Sequence, residues 1–149
     1  MNFEVKNIYA GFISTVIIFT TYFIIVSGMY SEGRFEGAEG NALLGKAIVS
    51  LIVGGIIVHI VIAILTSIVM AIATNDPKPS FVVDERDKLI ELRGLRVSYH
   101  VFGAGYVAAM IVLAFGVEVF WVFNLLLASC AISVLAEGLI RLRYYRRGF

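Results

Sequence analysis

The sequence predicts an all-α polytopic membrane protein: a bundle of four transmembrane helices arranged as two hairpins, with an amphipathic cytoplasmic helix leading into the third span. Three observations carry that expectation. Of the 149 residues 60% are hydrophobic and 15% charged, with a mean hydropathy of +0.92, more apolar surface than a water-soluble domain of this size can hide. The apolar residues fall into four runs, each long enough at 1.5 Å per residue to cross a hydrocarbon core of about 30 Å. The Lys and Arg residues between the runs are sorted by side.

The first run, 8–30, contains no charged residue. Gly11, Ser14, Thr15, Thr20 and Thr21 give it small or back-bonding surfaces, which in a membrane serve helix contacts. Glu4 offsets Lys6 ahead of it and Val26-Ser27-Gly28 is a weak cleavage site, so the run is expected to remain as a span. Residues 31–46, rich in glycine and carrying Glu32, Glu36 and Glu39, read as a flexible acidic loop without the spacing of a calcium loop. The second run, 47–74, is apolar except for His59 and longer than a bilayer needs, which predicts tilt or a helical extension. Ser50 and Gly54 form a small-xxx-small pair beside Gly55. Asn75-Asp76-Pro77 and Pro79 then stop the helix.

Residues 84–100, DERDKLIELRGLRVSYH, form the one long polar, helix-forming stretch. Asp84 suits an N-cap, with Asp87 three residues on where the helix dipole favours an acid. At 3.6 residues per turn Arg86, Arg93 and His100 share a stripe with Leu89, Ile90 and Val97, while Asp84, Asp87, Lys88 and Glu91 point the other way. Gly94 is either a hinge before the third span or part of one helix, at a cost of about 1 kcal/mol. In the third span, 97–117, Gly103, Ala104, Gly105, Ala108 and Ala109 make a bare surface and predict the most buried helix of the bundle. Val117 and Glu118 turn the chain into the fourth span, 119–140, with Trp121 at its outer end and Tyr144 and Tyr145 at its inner end as interfacial aromatics. The tail bears Arg141, Arg143, Arg146 and Arg147 and is expected to lie on anionic lipid headgroups.

With the N-terminus in the cytoplasm, Lys6, Lys78, Arg86, Lys88, Arg93, Arg96, Arg141, Arg143, Arg146 and Arg147 are inside and only Arg34 and Lys46 outside. Ten of the 12 basic residues against two fix both termini and the central connector as cytoplasmic by the positive-inside rule.

A net charge of +1 argues against nucleic acid as a partner. Cys130, the single cysteine, offers no disulfide or thiolate metal cage and reads as a packing residue. No spacing of His, Cys and carboxylates suits a metal, and no nucleophile has an aligned base, so no catalytic residue, metal or cofactor is expected. His59 lies at mid-membrane, where an imidazole is either hydrogen-bonded in packing or part of a transport path that Tyr106 also lines. Glu137, one turn from the end of the fourth span, is expected to form a structural ion cluster with Arg93, Arg96, His100 and Arg141. Asp84, Glu85, Arg86, Asp87 and Glu91 are then left to bind a cytoplasmic protein partner.

Val83-Asp84-Glu85-Arg86-Asp87, followed by Ile90, Arg93-Gly94 and Arg96 and ending at Tyr99, resembles the cytoplasmic loop of bacterial four-span membrane proteins grouped only as a domain of unknown function. The resemblance covers the loop and the order of the spans, and implies the same topology in a bacterial inner membrane but no activity. The sequence thus reads as a non-enzymatic inner-membrane protein, self-associating into a homo-oligomer, whose charged helix binds or regulates a partner. The alternative is a small oligomeric transporter or channel with a polar path near His59.

Overall fold

The computed structural model describes residues 3–74 and 85–147. Asn75, Asp76, Pro77 and Pro79, which the sequence assigns to a helix stop, Asp84, assigned to a cap, and Lys78, counted among the cytoplasmic basic residues, lie outside the described residues. Four helices make up the rest: α1 (Phe3–Ser31), α2 (Gly37–Thr74), α3 (Glu85–Ala114) and α4 (Val119–Arg147). No strand occurs among the described residues, and every helix contains a stretch long and apolar enough to cross a membrane. The chain is a multi-pass membrane protein.

Both hairpins are closed by the same device. At the end of α1 the Gly33 amide donates to the Tyr30 carbonyl and the Arg34 amide to the Met29 carbonyl, 2.9 and 3.2 Å. At the end of α3 the Gly116 amide donates to Leu113 and the Val117 amide to Val112, 3.0 and 3.4 Å. These are paired Schellman bonds, which need a left-handed residue between them, and the glycines supply it with φ of 71° and 76°. The Glu118 carbonyl then accepts the Trp121 amide at 3.0 Å and starts α4.

Helix α4 is the centre of the bundle. It packs along α3 and along α1 and touches α2 at its edge; α1 also packs on α2, whereas α3 approaches neither α1 nor α2. Small residues set these distances, as expected where lipid and side chains are equally apolar and close backbone approach decides contact. A Cβ on Gly105 of α3 would collide with Ser129 of α4, and one on Gly138 of α4 would strike the Phe12 ring of α1. The start of α1, the start of α3 and the end of α4 therefore share one end of the bundle, called here the basic end, and the two glycine turns share the other. At the hairpin end Tyr22, Val26, Phe35, Leu44 and Phe120 form a buried cluster. There Tyr30 stacks on Phe120 at 4.2 Å between ring centres and donates its hydroxyl to Glu118 Oε2 at 3.0 Å.

Three expectations change, and the alternative left open at Gly94 is decided. Residues 31–46 are not a loop throughout, because α2 begins at Gly37; Glu39 sits in its first turn, where an acid is favoured, and Leu44 is 2% exposed under the hairpin cluster. Helix α3 runs unbroken through Gly94, so the glycine is no hinge: its missing side chain leaves room for Arg141 Cγ and Glu137 Cγ, which would lie 2.7 and 3.0 Å from a Cβ. The most buried helix is α4 and not α3, since α4 packs against both α3 and α1 and buries seven residues, whereas α3 packs on α4 alone and buries three. Lastly, Asp87 lies on the packed side of α3 with Ile90 and Gly94, whereas Arg86, Leu89, Arg93 and His100 are exposed. Ordinary amphipathic reasoning sends leucine inward; here the glycine line chooses the face.

Candidate functional site

The basic end is where the sequence concentrates its polar side chains, and the start of α3 is fixed to the end of α4 there. Ile90, fully buried, and Gly94 bring the two backbones together. One turn before Ile90, Asp87 Oδ1 accepts the Tyr145 hydroxyl at 2.9 Å. One turn after it, the Arg93 guanidinium lies over the Tyr144 ring, 4.9 Å from its centre, a cation-π arrangement. Between them Arg141 Nη1 and Glu137 Oε1 are 3.4 Å apart on α4, with side chains 20% and 22% exposed.

Of the ion cluster expected from the sequence, the structure thus brings Glu137 and Arg141 together against Gly94 and sends Arg93 to Tyr144. Arg96 and His100 are exposed, and the ring nitrogen Nδ1 of His100 donates to the Arg96 carbonyl at 2.6 Å within its own helix. A carbonyl can only accept, so that bond places the imidazole proton on Nδ1. Of the residues assigned to partner binding, Glu85, Arg86 and Glu91 are exposed, Asp87 is half-buried under Tyr145, and Asp84 is outside the described residues.

Sequence reasoning missed the tyrosines that do the joining. In the sequence Tyr144 and Tyr145 read as interfacial amphipathic rings; their i+3 and i+4 spacing from Arg141, which lies against Gly94 of α3, is the signal that they also face α3. Tyr9 was missed as well. Its hydroxyl accepts Arg146 Nη2 at 2.7 Å, tying the end of α4 to the start of α1 beside a groove of about 570 Å³ lined by Phe12, Leu139, Leu142, Arg143 and Arg147.

His59 and Tyr106, the residues of the transport alternative, are both exposed, on helices α2 and α3 that do not approach each other. His59 is surrounded on its face by Ile52, Ile56 and Ile60, all more than half exposed. Ala63 and Ser67 continue the same exposed line one and two turns on, and the Ser67 hydroxyl is turned back to the Ala63 carbonyl at 2.8 Å. No group of three His, Cys, Asp or Glu side chains among the described residues is placed to hold a metal. Cys130 is half-buried in α4. No protein-family model, curated protein or solved structure matches this chain.

Proposed function

We propose that this chain is a non-enzymatic scaffold of a bacterial inner membrane that self-associates through α2 and presents the start of α3 to a cytoplasmic protein partner. The supporting observation is the position of His59, an imidazole at membrane depth on the uncovered face of the most apolar helix. Lipid offers that ring neither donor nor acceptor, and intramembrane polar groups face protein or a water-filled path. A neutral imidazole carries one donor and one acceptor, so two copies that meet along α2 can join their rings by one N–H···N bond, one ring donating and the other accepting. Ala63 and Ser67 supply the small surface on which the two helices close, the usual device between membrane helices.

The positive-inside count supports cytoplasmic termini and a cytoplasmic connector, which places the exposed Lys88 and Glu91 of α3 where a soluble partner can reach them. The transporter reading would need His59 and Tyr106 to be gathered into one path by several copies, since among the described residues α2 and α3 do not approach each other.

Cysteine crosslinking in native membranes tests the self-association, on a Cys130→Ser background. Ala63→Cys is expected to form disulfide-linked dimers, and Val61→Cys, equally lipid-facing but on the opposite side of α2, is not. Adding His59→Leu to the Ala63→Cys chain should lower the dimer fraction by about fivefold in association constant, the worth of an interhelical hydrogen bond of about 1 kcal/mol. Equal crosslinking at positions 61 and 63, or none at either, contradicts the proposal.

A further inference from the structure

The groove between the start of α1 and the end of α4 has a divided lining. Its floor is apolar, made by Phe12, Leu139 and Leu142, and its rim is cationic, made by Arg143, Arg146 and Arg147 with the Tyr9 hydroxyl among them. The floor exists because Gly138 has no side chain to push the Phe12 ring off α4, and Leu139 beside it is 59% exposed. The rim is preset. Arg146 is held by Tyr9, whose oxygen accepts that bond and keeps its own proton for a further acceptor. Among the described residues no carboxylate is paired with Arg143, Arg146 or Arg147, in contrast to Arg141, which has Glu137.

We infer that this groove binds one anionic glycerophospholipid, its phosphate on the arginine rim and an acyl chain along the floor. The chemistry of the two halves selects that ligand. Guanidinium forks match phosphate oxygens, and basic pockets between membrane helices at the headgroup level hold anionic lipids. A soluble phosphate would use the rim and leave Phe12, Leu139 and Leu142 uncovered; a zwitterionic lipid would bring a cation into a rim of three. The site goes beyond the scaffold proposal and does not depend on self-association.

Native mass spectrometry of the detergent-purified full chain, titrated with phosphatidylglycerol, phosphatidylcholine or soluble glycerol phosphate, tests it. Phosphatidylglycerol should be retained in preference to phosphatidylcholine, and glycerol phosphate should not be retained. Arg143→Gln with Arg146→Gln should weaken phosphatidylglycerol binding roughly thirtyfold, from the attraction of two basic residues near a lipid surface. Lys88→Gln with Arg96→Gln removes the same charge from exposed positions of α3 at the same end, and should weaken it less than about threefold because distant exposed charges are screened. An unchanged thermal midpoint in both double variants shows that each is folded. Equal losses in the two, equal retention of the two lipids, or binding of glycerol phosphate as tight as that of the lipid overturns the inference.

Discussion

Helices α4 and α2 are of opposite kinds. Helix α2 is the more apolar and α4 carries Asn124, Ser129, Ser133 and Glu137, yet none of α2's most apolar stretch is buried while α4 buries seven residues. In water that order would be reversed. In a bilayer an isoleucine gains nothing by leaving lipid for protein, so the residues that mark a contact are the small ones and the polar ones. The polar residues of α4 meet their needs largely within their own helix: Ser129 donates to the Leu125 carbonyl and Ser133 to the Cys130 carbonyl, both at 2.8 Å. Asn124 likewise donates to Phe120 at 2.8 Å. The two serines can thus lie flat against a neighbour without leaving a donor unpaired, whereas Asn124 keeps a buried Oδ1 with no hydrogen-bond partner among the described residues. Polarity in α4 is compatible with burial because it is spent locally, and hydrophobicity in α2 is compatible with exposure because the solvent is oil.

The largest test of this contrast is one glycine on each side. Gly105→Val drives a branched side chain into Ser129, and overpacking of that kind is expected to cost about 3 kcal/mol. Gly54→Val on α2 meets nothing within 4 Å and should change stability by less than about 0.5 kcal/mol. Thermal unfolding midpoints in detergent measure both. Similar losses would show that α2 is as closely packed as α4 and remove the distinction.

The number of helices, their pairing into hairpins and the common side of Lys6, Arg93 and Arg146 were legible in the sequence, because hydrocarbon runs and charge placement respond to the bilayer alone. Which face packs was only partly legible. Gly105 and Ala109 do lie on the α4 side of α3, while Gly103 has nothing within 4 Å and Ala104 is exposed; composition marks a bare helix but its phase depends on where the neighbour stands. The loop at 31–46 was misread for a related reason. Glycine content signalled a coil, whereas Gly40 is there because Phe35 runs against its backbone, a tertiary fact. The tyrosine contacts of the basic end were illegible too, since Tyr145 as an interfacial ring and Tyr145 as a donor to Asp87 are the same letter.

The next effect in size probes that basic end. Glu137→Gln removes the carboxylate beside Arg141, whose side chain is only one-fifth exposed, and a loss of about 1.5 kcal/mol is expected from a hydrogen bond to a charged group at that burial. Glu91→Gln, on the exposed face of α3, is the reference and should be neutral. If the two unfold together, the pair at the end of α4 contributes nothing beyond surface charge. Tyr145→Phe should follow with about 1 kcal/mol, the net worth of one hydrogen bond, because Asp87 loses the donor that reaches it across helices. The loss should vanish when Tyr145→Phe is made in a chain that already carries Asp87→Ala and is compared with Asp87→Ala alone, since the alanine removes the acceptor and a double-mutant cycle isolates that pair.

The smallest effect on stability is expected at His59, and its smallness carries the argument furthest. In the single chain His59 lies among exposed isoleucines and forms no contact that folding must preserve, so His59→Leu in detergent dilute enough to hold the protein monomeric should shift the thermal midpoint little, within about 0.5 kcal/mol and toward greater stability, because leucine is the better helix former. The same substitution is expected to weaken association in membranes. A residue of the hub cannot behave so: any change at Ser129 or Gly138 must register in the monomer, since its partner is in the same chain. If His59→Leu destabilises the isolated monomer as strongly as Glu137→Gln does, then the imidazole has a partner within its own bundle, α2 is part of the core, and the division between a packed hub and an outlying helix fails at its clearest point.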